Sequence, residues 1–570
     1  MRNIFFLILS CFCLLSVHAQ NETSKDHISL AGIWNFKLDP LNISIPVKGS
    51  NFVSRFPEEI TLPGSTDQAG KGFKTQDMSS LRLTRMFEYS GAAWYEKENI
   101  FIPESWKDQL LFLFLERVHW ESQVWINGKF VGKEESLSTP HLYDITSYVK
   151  FGDWNTVRIR VDNGNIHDIA YTHAISAETQ TNWNGIIGRM EIQAVSKVHI
   201  TDVQIYPLQK EKRLKIVAQI ANHSNLPVKG DIRIRCHFLN DSQLLHLNEK
   251  NTTFNSSDSL IHLVHYYDLG DKLYTWDEFE PNLYEIDYEI KCCGKSDVQK
   301  IKFGIRDFGT KGTHFTINDI PTFIRGAVNS CEFPITGYPP MSYEEWKKVM
   351  KVYKDYGFNC IRFHSWCPPE SAFQVADELG LYLQVENSDW RFTVGEDEAT
   401  NAFYLDEVQR IFKEYGNHPS FAFFCEGNEL VGKDCVDFLK EMLTEWKKDS
   451  RHLYVAASGY PTVEGSDFFD FYGARPQRWQ EGLKGRFNSQ PLNTRYDYID
   501  YVKKFSIPMV THEIGQWCAY PDFNQISKYI GVLKPYNYEL FREDLRNKKM
   551  LDQAHDCLLY TSPSPRDTER

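Results

Sequence analysis

The stretch GNHPSFAFFCEGNEL, residues 416–430, decides the fold. Gly416-Asn417-His418-Pro419 is a turn signal, and Phe421–Cys425 is a short, unbroken apolar run. Apolarity that does not alternate marks a strand buried on both faces, as in a parallel sheet. The run stops at Asn428-Glu429. A second run, IPMVTHEIGQW (507–517), reads the same way and stops at Glu513. A barrel of parallel strands gathers its strand-end residues at one rim, where its catalytic groups sit. Glycoside hydrolysis needs paired carboxylates there. One protonates the leaving oxygen, and the other attacks or supports the anomeric carbon.

Outward from this stretch, strands and helices alternate. TFIRGAV (322–328) is a strand, and YEEWKKVMKVYKDYG (343–357) is an amphipathic helix closed by Gly357. NCIRFHS (359–365) is a strand, ESAFQVADELG (370–380) a helix and LYLQVE (381–386) a strand. Helices near 402–415 and 434–449 flank the Glu429 run, and LYVAASG (453–459) and FFDFYG (468–473) are further strands. Such alternation is a parallel sheet with helical crossovers. It yields seven strands, the last ending at Glu513. A closed (β/α)8 TIM barrel has eight. The catalytic barrel, 305–556, is therefore read as truncated before strand eight, with open edges beside strands one and seven.

Residues 28–199 read as short strands, LLFLFLERV, SQVWINGKFVG and NTVRIRVDN, cut by turns such as Asn127-Gly128. They suit a jelly-roll β-sandwich of sugar-binding type. Residues 200–304 continue with RLKIVAQIAN, DIRIRCHFL and YEIDYEIKC. That length and strand density suit an immunoglobulin-like β-sandwich. The expected fold class is thus multidomain, β followed by α/β.

Both termini read as additions. Arg2, the apolar Ile4–Val17 and the small-x-small Val17-His18-Ala19 make residues 1–19 a signal peptide. The protein is therefore expected to be exported, periplasmic or secreted. Cys11 lies too early in the apolar core to be a lipid-attachment cysteine. After MLDQAHD, the segment CLLYTSPSPRDTER (557–570) resembles a translated sequencing adapter and is read as a non-native tail.

Composition bounds the rest. At 570 residues the chain exceeds one domain, and 42% hydrophobic residues are enough for several cores. The 14% aromatic content suits stacking on sugar rings, and equally a large β-sandwich. A formal charge of −13 with no long basic run argues against a nucleic-acid partner. Beyond the signal, no apolar stretch is long enough to span a membrane. Of 12 cysteines, Cys11 and Cys13 leave with the signal, and others such as Cys360 and Cys425 read as buried free thiols. The adjacent Cys292 and Cys293 cannot easily bridge each other. No CxxC pair or HExxH motif occurs, so neither a metal nor another cofactor is indicated.

With these motifs in place, the chain resembles glycoside hydrolase family 2, which comprises β-galactosidases, β-glucuronidases and β-mannosidases. LAGIWNFKLDP, TLPGSTDQAGKG and AAWYEKENIFIP resemble its N-terminal sugar-binding domain. LYTWDEFEPNLYEI resembles the end of its immunoglobulin-like domain, FGIRDF its linker strand, and NHPSFAFFCEGNE its acid/base motif. The resemblance implies Glu429 as general acid/base, Glu513 as nucleophile, and Asn428 binding the sugar's 2-hydroxyl. It implies a glycan substrate, with retention of anomeric configuration. The family's Arg-x-Ser-His-Tyr-Pro segment is replaced here by Arg362-Phe363-His364-Ser365-Trp366-Cys367-Pro368-Pro369. Arg362 is expected to support the nucleophile and His364 to touch a sugar hydroxyl. The metal ligands of some β-galactosidases cannot be placed.

Further substrate-binding candidates are Tyr472 in FFDFYG, Trp517 in GQWCAYPDF, and Glu386 and Trp390 in LQVENSDW. Each has core packing as its competing role. The loop TQTNWNGIIGR, with Asn182, Trp183 and Asn184, reads rather as the cap of a strand pair. The favoured function is a retaining exo-β-glycosidase, most simply β-galactosidase-like. A β-glucuronidase, β-mannosidase or arabinopyranosidase is the alternative within the family. Outside it stand a carbohydrate-binding protein without turnover and an inactive fragment. The oligomeric state is not legible.

Overall fold

Alternation of buried and half-buried side chains builds the first unit. Along Leu110–Val118, Leu111, Leu113 and Leu115 are fully buried, and along Asp153–Asp162 so are Val157, Ile159 and Val161. Every second residue of a strand faces one side, so these sets meet across a sandwich. One sheet has five strands and the other six, all antiparallel, around a single core. Asn127 and Gly128 join Glu121–Ile126 to Lys129–Glu135 with φ of 51° and 79°, the left-handed pair that a two-residue hairpin favours. The computed structural model describes residues 26–44, 56–76, 78–176, 181–240, 249–271, 273–471, 499–513 and 521–553. The proposed signal and tail lie outside these residues, as do Tyr472 and Trp517.

A second β-sandwich follows, with antiparallel sheets of three and four strands over its own core. Its first strand is Val198–Leu208, so the unit starts slightly before the expected residue 200. A three-stranded antiparallel meander comes next: Phe308–Lys311, His314–Ile317 and Ile320–Thr322. Its Phe308, Phe315 and Ile317 pack with Cys360, Tyr382 and Phe423. Cys360 and Tyr382 begin their strands, so the meander plugs the N-terminal end of the parallel sheet.

The parallel strands run Gly326–Asn329, Cys360–Phe363, Tyr382–Asp389, Phe421–Gly427 and Leu453–Tyr454 in one sheet. Ser458–Gly459, Phe469–Phe471 and Met509–Thr511 form a second, and an Asn428–Ser458 bridge joins the two. Leu453–Tyr454 and Ser458–Gly459 are two pieces of the expected fifth strand. Helices Tyr343–Asp355, Glu370–Leu379, Glu398–Tyr415 and Cys435–Trp446 follow the first four strands. The third helix starts at Glu398, earlier than expected, because the Asp397 carboxylate accepts from the Thr400 N–H and caps it. Strand Phe421–Gly427 is buried at every position, as its apolar run requires, and Tyr382–Asp389 is equally buried although Gln384 and Glu386–Asp389 make it largely polar.

The chain then returns to the first unit. Leu533–Lys534 pairs antiparallel with Thr84–Arg85, and helix Tyr536–Asn547 follows. Among the described residues no eighth parallel strand is present. The molecule is thus a multidomain, β-rich protein with a parallel β/α unit. The cysteines Cys236, Cys292, Cys331, Cys360, Cys367, Cys425 and Cys435 are buried and free, while Cys293 is exposed. No described helix is long and apolar enough to cross a membrane.

Candidate active site

Successive parallel strands deliver polar side chains to one rim. Arg362 lies on the second strand and Glu386 on the third, with Asn428 and Glu429 just past the fourth. Ser458 lies on the fifth, Asp470 on the sixth, and His512 and Glu513 just past the seventh. Glu429 and Glu513 both have φ of +47°, a left-handed backbone that few non-glycine residues adopt. Such outliers cluster at functional sites. Gly427 lets the third and fourth strands close up, since a Cβ there would lie 1.9 Å from the Asp389 carbonyl oxygen.

Arg362 is the hub. Its Nε donates to Glu386 Oε1 at 2.6 Å and its Nη2 to Asn428 Oδ1 at 2.7 Å. Its Nη1 reaches Glu513 Oε1 at 3.5 Å. The expected support of Glu513 is thus the longest of its contacts. Glu386 corrects the sequence reading. It is fully buried, and its other oxygen accepts the Ser365 N–H, so it faces Arg362 rather than a substrate. The strand it was expected to end continues to Asp389. Trp390 is half-buried at the rim, its ring 5.1 Å from that of His364.

His364 also departs from expectation, since its Nε2 lies 2.9 Å from Glu513 Oε1. Burial, then the Arg362 charge, pushes its pKa down to about 4. At neutral pH it is an uncharged imidazole donating to the carboxylate, with Nδ1 3.4 Å from the Ser365 hydroxyl. Glu513 has a carboxyl pKa far below the ordinary range. Burial opposes this, but the hydrogen bond from His364, with the close approach of His512 and the charges of His512 and Arg362, outweighs it. Glu429 has Tyr460 Oη at 3.5 Å from Oε2 and His512 Nε2 at 3.4 Å from Oε1. The Asn428 Nδ2 is buried and has no hydrogen-bond partner.

Sequence reasoning missed several groups. Asp470 and Ser458 flank the His512 imidazole, and Tyr460 faces Glu429. The signal for Asp470 was a lone carboxylate inside the apolar FFDFYG. The first sandwich also reaches the rim. His173 Nδ1 bonds the His364 carbonyl at 2.9 Å, and Thr172 Oγ1 donates to the Ser365 carbonyl at 2.6 Å. No sequence motif announced that loop. Trp183 stacks on His119 with centroids 4.6 Å apart, and Asn184 bonds Tyr95, Gly91 and Val161. That loop is a structural cap.

Fold and site define a modular, β-rich protein whose parallel β/α unit presents a carboxylate pair. Residues 28–189 match the model for the sugar-binding domain of glycosyl hydrolases family 2, and residues 198–306 match the model named for the family itself. Residues 28–306 thus carry both of these family 2 domains, and the matches support a member of glycosyl hydrolase family 2. It is 26% identical over 377 residues to a β-galactosidase of Priestia megaterium, covering 62% of this chain and 35% of that one. It is 23% identical over 463 residues to the β-galactosidase large subunit of Latilactobacillus sakei, covering 73% and 70% respectively. The fold resembles a Bacteroides uniformis β-glucuronidase with a TM-score of 0.64 at 16% identity, covering 76% of this chain and 53% of that one. The chain thus spans about a third of the first relative and about half of the solved structure.

Proposed function

We propose that the chain is a retaining exo-β-glycosidase, β-galactosidase-like, that removes terminal non-reducing sugars by double displacement. The approach of the carboxylates carries this reading. One carboxylate oxygen each of Glu429 and Glu513 and one ring nitrogen of His512 all lie within 4.8 Å of one another. Retaining glycosidases hold their carboxyl groups about 5–5.5 Å apart, and inverting ones about 6.5–9.5 Å. The spacing is shorter than that of inverting enzymes and suits direct attack by one carboxylate.

Glu513, strongly held as a carboxylate, is the nucleophile in this reading. Glu429, at 21% side-chain exposure the more open of the pair, protonates the leaving oxygen and later activates water. The unpartnered Asn428 Nδ2 is a donor ready for a sugar hydroxyl. The seven parallel strands, from Gly326–Asn329 to Met509–Thr511, fit the (β/α)8 barrel type. No metal is called for. His512, protonated at neutral pH, already places positive charge between the carboxylates where a cation would sit. The signal-like residues 1–19 support export, and the substrate is a glycan met there.

A panel of aryl β-glycosides on the full-length gene product tests the sugar. Galactoside cleavage is expected, and exclusive cleavage of the glucuronide, mannoside or arabinopyranoside would replace the substrate assignment. Glu513→Gln should abolish turnover, and near wild-type activity in that variant would sink the nucleophile role.

A further inference from the structure

We propose that His512 is a positioning residue for both carboxylates, an imidazolium held by Asp470 and Ser458 that governs the protonation of Glu429 and Glu513 together. This inference rests on the acid/base and nucleophile roles given above.

The geometry is a bridge. His512 Nε2 lies 3.4 Å from Glu429 Oε1 and 3.3 Å from Glu513 Oε1, at ion-pair distance and without the alignment of a hydrogen bond. On the opposite side, Nδ1 lies 3.2 Å from Ser458 Oγ and 3.5 Å from Asp470 Oδ1. The ring is 1% exposed, so these groups rather than water set its charge. Asp470 is itself anchored, accepting from the Ser458 hydroxyl and from Gln384 Nε2. A Cβ on Gly459 would lie 3.0 Å from both His512 Nε2 and Glu429 Cγ, so glycine keeps this approach open.

The charges facing the ring are anions at Asp470 and Glu513, the Glu429 carboxyl, and the Arg362 cation, whose Nη1 is 3.5 Å from Nδ1. His364, just past the second strand, is uncharged at neutral pH. Burial opposes a charge on His512. Asp470, followed by the two glutamates, outweighs it and raises its pKa to about 10.

The bridge has a distinct task in each half of the reaction. In the first, Glu429 gives its proton to the leaving oxygen. Glu513 forms the bond to the anomeric carbon, and the bond to the leaving group breaks with its electron pair. Glu513 is then an uncharged ester. The imidazolium faces Glu429 alone and keeps it ionised as a base. In the second half, Glu429 takes a proton from water, the water oxygen bonds to the anomeric carbon, and the ester bond breaks to restore the Glu513 carboxylate. A nearby cation favours the ionised form of each carboxylate.

The test is the pH profile of kcat/KM, on a glycoside whose poor leaving group needs the proton from Glu429, for wild type, His512→Gln and Asp470→Asn. Losing the cation should move both limbs to higher pH, each by about one unit, with kcat lower by roughly 100-fold. Limbs that stay in place, or that move apart, would overturn the proposal and leave His512 a packing residue. If the imidazole variant does not fold, Asp470→Asn and Ser458→Ala carry the same test. Near wild-type turnover by Glu513→Gln in the same assay would instead refute the roles on which the inference rests.

Discussion

Replacing Arg362 by Met isolates the central ion pair of the parallel unit. The arginine side chain is 9% exposed and that of Glu386 is not exposed at all, at an Nε–Oε1 distance of 2.6 Å. Methionine fills much of the volume but leaves the Glu386 charge without its cation, held by the Ser365 N–H, and Asn428 Oδ1 without its donor. Breaking one side of a buried pair costs about 3–5 kcal/mol. Glu386→Gln should cost less, because Arg362 keeps its contacts to Asn428 and Glu513. In the double variant no charge is stranded, so about 2 kcal/mol of the summed losses should return. Urea unfolding read by tryptophan fluorescence measures all three. With a slope of about 3 kcal/mol per molar, Arg362→Met should lower the midpoint by roughly 1–1.7 M. A shift below about 0.3 M, or additive losses in the double variant, would refute the view that the pair is coupled and strongly buried.

Asn428→Ala should cut kcat/KM of an aryl glycoside by about 10–1000-fold and also lower the melting temperature, because Arg362 Nη2 loses its buried acceptor. Asn428→Asp keeps that acceptor and loses only the unpartnered Nδ2 donor, so it should lose turnover with a smaller fall in melting temperature. Gly427→Ala should fail to give soluble protein, since its Cβ would overlap the Asp389 carbonyl oxygen at 1.9 Å; a folded, active variant would show that the third and fourth strands separate easily. Glu426 is fully buried with Oε1 unpartnered, and burial, then the Asp389 charge, pushes its pKa up to about 8. A carboxyl pKa raised by folding contributes stability that is full below about pH 4.3 and lost as pH rises through the folded value. Glu426→Gln mimics the protonated acid and should flatten the fall of the melting temperature up to pH 8; an unchanged slope contradicts this.

What was legible in the sequence is what is local in the chain. Unbroken apolar runs mark strands covered on both faces, and the runs ending at Glu429 and Glu513 bring their carboxylates together at the rim although the fifth and sixth strands lie between them. The direction of a side chain at a strand end is not local. Glu386 has the same sequence signature as Glu429, yet its carboxylate turns inward onto Arg362 and the Ser365 N–H. Likewise the imidazole of His512 meets Asp470 and Ser458 only because the fifth, sixth and seventh strands are adjacent. His173 reaches the rim from another domain, and no spacing rule within the barrel sequence points to it.

The backbone at the rim explains why two glutamates of such similar context can serve one reaction. Cys331, Ser365, Ser388, Glu429 and Glu513 all have positive φ, between 47° and 59°, and all lie at or just past the end of a parallel strand. Each such non-glycine residue costs about 1 kcal/mol or more. The surrounding hydrogen bonds hold the conformation: Glu429 N–H donates to the Ser458 carbonyl at 2.8 Å, and Ser365 N–H to Glu386. An extended continuation would carry the chain straight on, and alternation would send successive side chains to opposite faces. A left-handed residue turns the chain at once and lets Glu429 and Glu513 approach from strands separated by the fifth and sixth. Glycine would relieve the strain at either position but would delete the carboxylate. The strain is therefore inseparable from the site, and substitutions that relax this rim should gain stability at the expense of turnover.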